Sequence, residues 1–291
     1  FQDDLLMSSV GHTEEVCREF LKRNLPVRWN CNGRLNYCSE ELLQLMKDAG
    51  CHFINYGIES MDQKVLNNMK KGLRPEMIVQ GIEDTLKVGI SPGLNFIFGN
   101  KGDNKDTIKK AVNFLLKYDD FAQKRTIRPV TPYPGSPLYY DAIEMGLLDK
   151  NNPAEDFYER KHLNSDLICC NFTELSDDDF YECLRWANST LMKNYFDKQK
   201  KQTLDQIDYL YKEKDVTFRG FRHNSASGAV GEKAQSKSNV VNFKNTNQLS
   251  NNDKNSKLVN KDNQVMEGIT NWEGSEVSDG DRFSNNSINN S

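Results

Sequence analysis

The sequence predicts an α/β fold: a partial (β/α) barrel whose first strands lie before residue 1, then a helical segment and a polar tail. Three observations predict it. Short apolar strands alternate with helical stretches at about 30 residues per unit, the pattern of a parallel sheet with crossover helices. Polar or glycine residues sit where each strand ends, in F-Q-D-D (1–4), W-N-C-N-G-R (29–34), Y-G-I-E-S (56–60) and N-F-I-F-G-N (95–100). A fifth apolar segment leads into R-P-V-T-P-Y-P-G-S-P-L-Y (128–139), after which the alternation stops. Side chains at the C-terminal ends of barrel strands converge on one face, where such folds carry their chemistry.

The elements follow in order. Residues 12–25 read as a helix with Val16, Phe20 and Leu21 on one face, an acidic first turn at Glu14 and Glu15, and Pro26 as its stop. Residues 27–30 form a short strand. Ser39 caps a helix whose apolar stripe is Leu42, Leu43, Leu45 and Met46, and Ala49-Gly50 ends it. Residues 52–58 are the next strand, 62–69 a short helix, and Lys70-Lys71-Gly72 its C-cap. Pro75 opens a helix over 75–88 that Gly89 closes. A strand over 90–98 is interrupted by Pro92 and Gly93. A helix spans 106–116 with Ile108, Val112 and Leu115 on one side, and 126–130 is the last strand. Residues 138–145 are helical up to Gly146, and 150–175 are irregular. Ser176 and three aspartates open a long helix to about residue 214 with Phe180, Cys183, Leu184, Ala187, Leu191 and Tyr195 as its stripe. From about Asn224 the composition is too polar to offset the entropy of ordering, which predicts disorder. The domains are therefore 1–150 (barrel), 151–222 (helical extension) and 223–291 (disordered Asn/Ser/Lys-rich tail).

Composition narrows the function classes. Hydrophobic residues make up 37% of 291, net charge is −4, and the charges are mixed, so there is no DNA-binding signature. No run of about 18 apolar residues exists, so no membrane span is expected, and the cysteine usage described below fits reduced thiols and a cytoplasmic location. The chain opens on Phe1 in strand context with no Met, which reads as a truncated N-terminus. Seven cysteines (Cys17, Cys31, Cys38, Cys51, Cys169, Cys170 and Cys183) are odd in number and irregular in spacing. None of the spacings suits a zinc ribbon or an iron–sulfur loop, so reduced, incidental thiols and no metal ligands are expected.

Several residues at strand ends can carry chemistry. Glu59 and Ser60 follow Tyr56-Gly57-Ile58, where a carboxylate can accept from ribose hydroxyls or a ligand ammonium; the alternative is an N-cap for the next helix. Gly99 and Gly102 flank a turn that can present backbone groups to a ligand or be a plain strand-to-helix turn. Arg34 can hold a carboxylate or pair with Asp3 or Asp4. Those two aspartates contact ligand or cap the following helix. His12, His52 and His162 have no partner at ligand spacing, and His52 lies at the strand end away from the chemistry. Y-P-G-S-P (133–137) is a rigid turn that can shape a pocket wall.

These cassettes, in this order, resemble the radical S-adenosylmethionine superfamily. The similarity runs over about residues 1–150, and its most specific element is G-I-E-S-x5-L-x2-M-x-K-G. The branch it resembles often carries an N-terminal cobalamin-binding domain and has relatives among the methylthiotransferases. The resemblance implies a partial six-stranded barrel of the radical SAM type. It also implies a [4Fe-4S] cluster on a C-x3-C-x2-C loop, S-adenosylmethionine bound at the open iron site, and cobalamin in some members. By matching motif, Glu59 and Ser60 stand near the ribose and methionine portions, Phe98 and Gly99 near adenine, and Arg34 near carboxylate or substrate. Asp3 and Asp4 are carried as further cofactor contacts. The sequence departs from the family pattern twice: the three-cysteine loop is absent and expected upstream of Phe1, and G-N-K-G-D stands where G-x-P-G-E is usual.

The resemblance thus implies the C-terminal part of a radical SAM enzyme for methyl transfer, methylthiolation or rearrangement. Its substrate would be a small molecule or a modified macromolecule, and its reductant a flavodoxin or ferredoxin. The chain as it stands is expected to lack cluster ligands and hence reductive cleavage. Two other classes compete: a non-catalytic degenerate barrel acting as a binding module, and a non-radical aldolase-type barrel, which would need a Lys or metal-binding His at a strand end.

Overall fold

A computed structural model describes residues 5–214, 216 and 218. The strand expected at 1–4 and the tail expected at 223–291 lie outside them. Contacts divide the chain into Phe1–Asp215 and Val216–Ser291. The first unit contains, in order, α1 (Val10–Lys22), β1 (Trp29–Gly33), a 3₁₀ turn (Leu35–Tyr37), α2 (Glu40–Asp48), β2 (Cys51–Glu59), α3 (Gln63–Asn68), α4 (Pro75–Lys87) and β3 (Ser91–Phe98). There follow α5 (Lys105–Tyr118), β4 (Ile127–Pro129), α6 (Pro137–Glu144), α7 (Pro153–Arg160) and α8 (Asp177–Glu213). Of the second unit only Val216, exposed, and Phe218 are described.

The four strands form one parallel sheet in the order β1-β2-β3-β4, so each strand is laid beside the one before it. Strand alternation gives the sheet two unlike faces. Ile54, Tyr56 and Ile58 of β2, with Leu94, Phe96 and Phe98 of β3, are buried in one core with apolar residues of α2, α4, α5 and α8. The intervening residues include Asn55, Gly57, Glu59, Gly93 and Asn95, and they form the opposite face. Where the buried face carries a polar atom, a partner is supplied: the hydroxyl of Tyr56 meets that of Thr85 at 3.0 Å, and Thr85 donates to the Gly81 carbonyl at 2.6 Å.

Helix ends follow local chemistry. Ser9 caps α1 by accepting from the His12 N–H, two residues before the expected start. Asn104 and Thr107 form a reciprocal capping box at α5. Ser136 caps α6 and Ser176 caps α8.

Three differences from the sequence reading have physical causes. β3 runs unbroken through Pro92 and Gly93. A residue's N–H and C=O point to the same side of a strand, and β4 pairs with β3 only from Phe96 onward. The missing N–H of Pro92 therefore costs no ladder bond, and its carbonyl accepts from Arg125 at 2.8 Å instead. Residues 150–175 hold the helix α7, opened by Pro153 and folded around the fully buried Phe157 in a second core with Tyr139, Ala142, Leu148 and Phe172. A 3₁₀ turn over Leu35–Tyr37 joins β1 to α2 and buries Leu35.

Two polar devices hold the β4 side of the sheet. Arg125, with 6% of its side chain exposed, reaches Asp119 at 3.2 Å and Asp120 at 3.0 Å. Asp120 also accepts from Ser91, so the start of β3 is tied to the approach to β4. On the outer edge of β4, the Asn188 side chain of α8 accepts from the Ile127 N–H at 2.8 Å and donates to the Ile127 carbonyl at 3.0 Å. One amide thus does what a further strand would do and keeps that edge from templating another chain. α8 is 37 residues long, about 56 Å. Only its first half is buried, through Phe180, Cys183, Leu184, Ala187 and Leu191. Replacing Asn188 by Leu should leave both Ile127 groups unpaired at a part-buried edge and cost about 2 kcal/mol, read as a lowered urea midpoint; an unchanged midpoint would show that the edge is satisfied otherwise.

Candidate functional site

The functional candidates meet at the C-terminal ends of the strands. Glu59 is the last residue of β2 and has a left-handed φ of 70°. The pairing of β2 with β3 shifts register between Gly57 and Glu59. A non-glycine residue in that conformation costs on the order of 1–2 kcal/mol. The consequence is that the Glu59 carboxylate turns back over Gly57: a Cβ on Gly57 would lie 2.5 Å from Oε1 of Glu59 and 3.2 Å from Nζ of Lys71. The Lys71 ammonium and the Glu59 carboxylate pair at 3.1 Å, with 32% and 18% of their side chains exposed.

This geometry explains the spacing of the G-I-E-S-x5-L-x2-M-x-K-G string. Gly57 leaves the room and Glu59 fills it. Ser60, 4% exposed, accepts from the Asp62 N–H through its hydroxyl at 3.1 Å. Asp62 caps α3 by accepting from Lys64 and Val65. Leu66 anchors α3 in the core, and the chain returns so that Lys71 donates its N–H to the Leu66 carbonyl and its side chain to Glu59. The helix cap is therefore Asp62, with Ser60 bracing it and Glu59 left for the open face.

Arg34 is the first residue after β1, exposed, with no ion pair to any described residue. Asp3 and Asp4 lie outside the described residues. Phe98 ends β3, and its ring packs on Phe180 of α8 with centroids 4.8 Å apart, on the helix side of the sheet rather than the side of Glu59. Gly99 has φ 106°, and a Cβ there would sit 2.6 Å from the Phe180 ring. In the turn that follows, the N–H groups of Gly99 and Asn100 donate to Asp103 at 3.0 and 2.9 Å, and the Thr107 hydroxyl donates to it at 2.7 Å. Those two backbone donors are taken within the turn, so the glycine turn does not offer them to a ligand. Burial pushes the Asp103 carboxyl up from its ordinary value, against the pull of these donors. The structure thus sets Arg34, Glu59 and Gly99 at the ends of adjacent strands; of the residues on β2 and β3, Glu59 faces the open side and Phe98 the helices. His52 stands at the opposite end of β2.

Sequence reading missed four residues of the open face. Lys71 reads in sequence as part of a helix cap, and Asn32, Asn55 and Asn95 stand one on each of β1, β2 and β3. Asn95 donates through Nδ2 to Oδ1 of Asn55 at 2.7 Å, and Asn55 donates likewise to Asn32 at 3.1 Å. The available signal was period two: Asn32 stands two residues before Arg34, and Asn55 two before Gly57 and four before Glu59, so each shares a strand face with them.

The cysteines lie elsewhere. Cys17, Cys31, Cys51, Cys169, Cys170 and Cys183 are buried, and Cys38 is half-buried. Burial pushes the thiols of Cys17 and Cys38 up to about 11, the reverse of what a thiolate ligand needs. Among the described residues no group of three His, Cys, Asp or Glu is placed to hold a metal ion, so they do not fit a [4Fe-4S] cluster. No described helix is long and apolar enough to cross a membrane.

Two outcomes test this geometry. Gly99→Ala combines a strained φ with a clash against Phe180 and should cost about 3 kcal/mol in urea unfolding; a cost under about 1 kcal/mol would mean the turn relaxes freely. Asp62 supplies the pH dependence. Burial would raise its carboxyl, but Lys110 at 2.7 Å and the N–H groups of Val65 and Lys64 outweigh burial and hold it below the usual range. A depressed folded value contributes stability above the unfolded value of about 3.9, and that contribution is lost as pH falls through the folded value. Asp62→Asn should therefore flatten the fall of the urea midpoint below about pH 4; an equally steep fall would place the acid sensitivity elsewhere.

Comparison with known proteins follows the same stretch of chain. The Radical SAM superfamily family matches residues 9–115. An uncharacterized methyltransferase of Pyrococcus horikoshii is 27% identical over 174 residues, 58% of this chain and 37% of that protein. Bacteriochlorophyllide d C-12(1)-methyltransferase of Chlorobaculum tepidum is 28% identical over 184 residues, 60% of this chain and 39% of that one. The radical S-adenosylmethionine methyltransferase TsrM of Kitasatospora setae, solved with cobalamin and a [4Fe-4S] cluster, aligns with a TM-score of 0.43 at 19% identity, covering 50% of this chain and 30% of TsrM. The aligned part spans less than two fifths of the length of these curated relatives.

Proposed function

We propose, from the match of residues 9–115 to the Radical SAM superfamily, that this chain binds S-adenosylmethionine at the open rim of its sheet and serves a methyl-transfer enzyme acting on a small molecule. The observation that carries the reading is the Glu59 carboxylate, held over Gly57 in a strained conformation and paired with Lys71. A carboxylate so placed accepts from ribose hydroxyls or from the ammonium of an amino acid. Arg34, one strand away and unpaired among the described residues, receives a carboxylate bidentately. Ser60 braces the turn that aims Glu59. Phe98 and Gly99 shape the neighbouring strand end through packing on Phe180, with the C-terminal end of β3 as the adenine side. Asp3 and Asp4 are carried as contacts of the same cofactor.

Bound S-adenosylmethionine supplies the methyl group and, in this superfamily, radical chemistry driven by one electron. The described cysteines are not placed to hold the cluster that would admit that electron. A flavodoxin- or ferredoxin-type donor and cobalamin belong to the same proposal. Residues 1–150 are its cofactor-binding part and 151–222 a helical extension to it. The relatives named as methyltransferases favour methyl transfer over methylthiolation or rearrangement.

Calorimetric titration with S-adenosylmethionine tests the reading. The chain should bind it, Glu59→Gln should bind roughly tenfold more weakly or worse, and Gly57→Ala should follow because its methyl displaces the carboxylate. Equal affinity in Glu59→Gln would remove Glu59 from the site. Absence of binding in the unaltered chain would favour a non-catalytic binding module.

A further inference from the structure

We infer that the Asn32–Asn55–Asn95 row is a recognition strip for a neutral donor–acceptor edge of the substrate, such as a carboxamide or lactam. The inference deepens the function proposed above and rests on it only for the identity of the enzyme, because the strip stands on its own geometry.

Three asparagines on three consecutive strands are linked by their side chains. Register pairs Asn32 with Asn55 directly, and Asn95 sits one row nearer the strand ends, opposite Gly57. Asparagine is depleted in strands, since its short amide competes with the backbone and gains little from a pleated surface. Asn95 is exposed, so burial does not reward it. The row nevertheless has room reserved for it. Gly93 pairs with Asn55, and a Cβ there would lie 2.4 Å from Oδ1 of Asn55 and 2.9 Å from its Cα. A side chain at 93 would have to displace backbone, so the Asn55 amide lies flat across β3 only because residue 93 is glycine.

The row does not exhaust its own hydrogen-bonding capacity. A primary amide has two N–H donors and a carbonyl with two lone pairs. Asn55 uses one N–H toward Asn32 and one lone pair toward Asn95, which leaves one of each. Asn95 uses a single N–H, and its carbonyl accepts from no described residue. A ladder serving only to stiffen the sheet has no need of an exposed terminal amide with an open carbonyl and a spare N–H. That pair of groups complements a planar edge that both donates and accepts.

Charge decides for a neutral edge. Beside Asn95, Glu59 and Lys71 lie over Gly57 and neutralise each other at 3.1 Å. A bare anion or cation on the strip would find no net opposite charge there. Arg34, two residues beyond Asn32 on β1, is left for an anionic portion of a ligand at the rim.

The test uses the whole chain with asparagine side chains labelled with ¹⁵N, and two ring probes of one shape. 2-Pyrrolidinone has an adjacent N–H and C=O; γ-butyrolactone replaces the N–H by oxygen. The lactam should shift the Asn55 and Asn95 side-chain amide signals saturably, the lactone should bind roughly fivefold more weakly, and Asn95→Leu and Asn95→Ser should each abolish the preference. Equal response to both probes, or a preference that survives in both variants, overturns the strip. S-Adenosylmethionine is titrated into the same samples: cofactor binding without lactam preference defeats the strip alone, and lactam preference without cofactor binding defeats the cofactor reading alone.

Discussion

The alternation of β2 governs most of what this molecule does. Ile54, Tyr56 and Ile58 point into the helices and are wholly buried, so their neighbours Asn55, Gly57 and Glu59 must point the other way. Shifting β2 by one residue would put an amide and a carboxyl group in the core and three large apolar side chains outside it, at a cost comparable to the whole stability of an ordinary domain. The apolar face therefore holds the polar face in register. It is the burial of three side chains that presents two others, those of Asn55 and Glu59, on the open face.

Against that background the strain at Glu59 has a purpose in the local architecture. An extended Glu59 would send its carboxylate off the end of the strand. The left-handed turn, with the register shift beside it, returns the carboxylate over the glycine two residues earlier, where Lys71 meets it. Gly57 and Gly93 act alike in this respect. Each stands beside a polar side chain that lies across the sheet, and each keeps clear the volume that side chain needs. The glycines of the open face are thus spacers for a carboxylate and an amide, whereas Gly99 answers to backbone conformation and to the ring of Phe180.

The flank of the sheet is closed by polar rather than apolar means. Asn188 satisfies the edge of β4 from a helix, and Arg125 gathers Asp119, Asp120 and the Pro92 carbonyl beneath it. The bonds of Asn188 to Ile127 and of Arg125 to Pro92 join residues distant in sequence, and both lie away from the rim. The rim can then carry groups with no partner among the described residues, such as the Arg34 guanidinium and the Asn95 carbonyl, without weakening the frame.

Sequence by itself determined the order and kind of nearly every element in the first half of the chain. Period-two and helical patterns are local, and so are the caps at Ser39, Pro75 and Ser176. It also carried the resemblance to a family, because Gly57, Glu59, Leu66 and Lys71 stand at a spacing that one strand, one turn and one short helix accommodate. Only the tertiary structure decided which of these groups act together. That Lys71 returns to Glu59 and that Asp103 takes the backbone donors of the Gly99 turn depend on how the chain folds back after each strand; that Phe98 faces α8 and that three asparagines from separate strands join in one row are consequences of strand register. So is the continuity of β3 through Pro92, which depends on where β4 begins. Register is set by packing the whole sheet against its helices, and no window of sequence contains that sum.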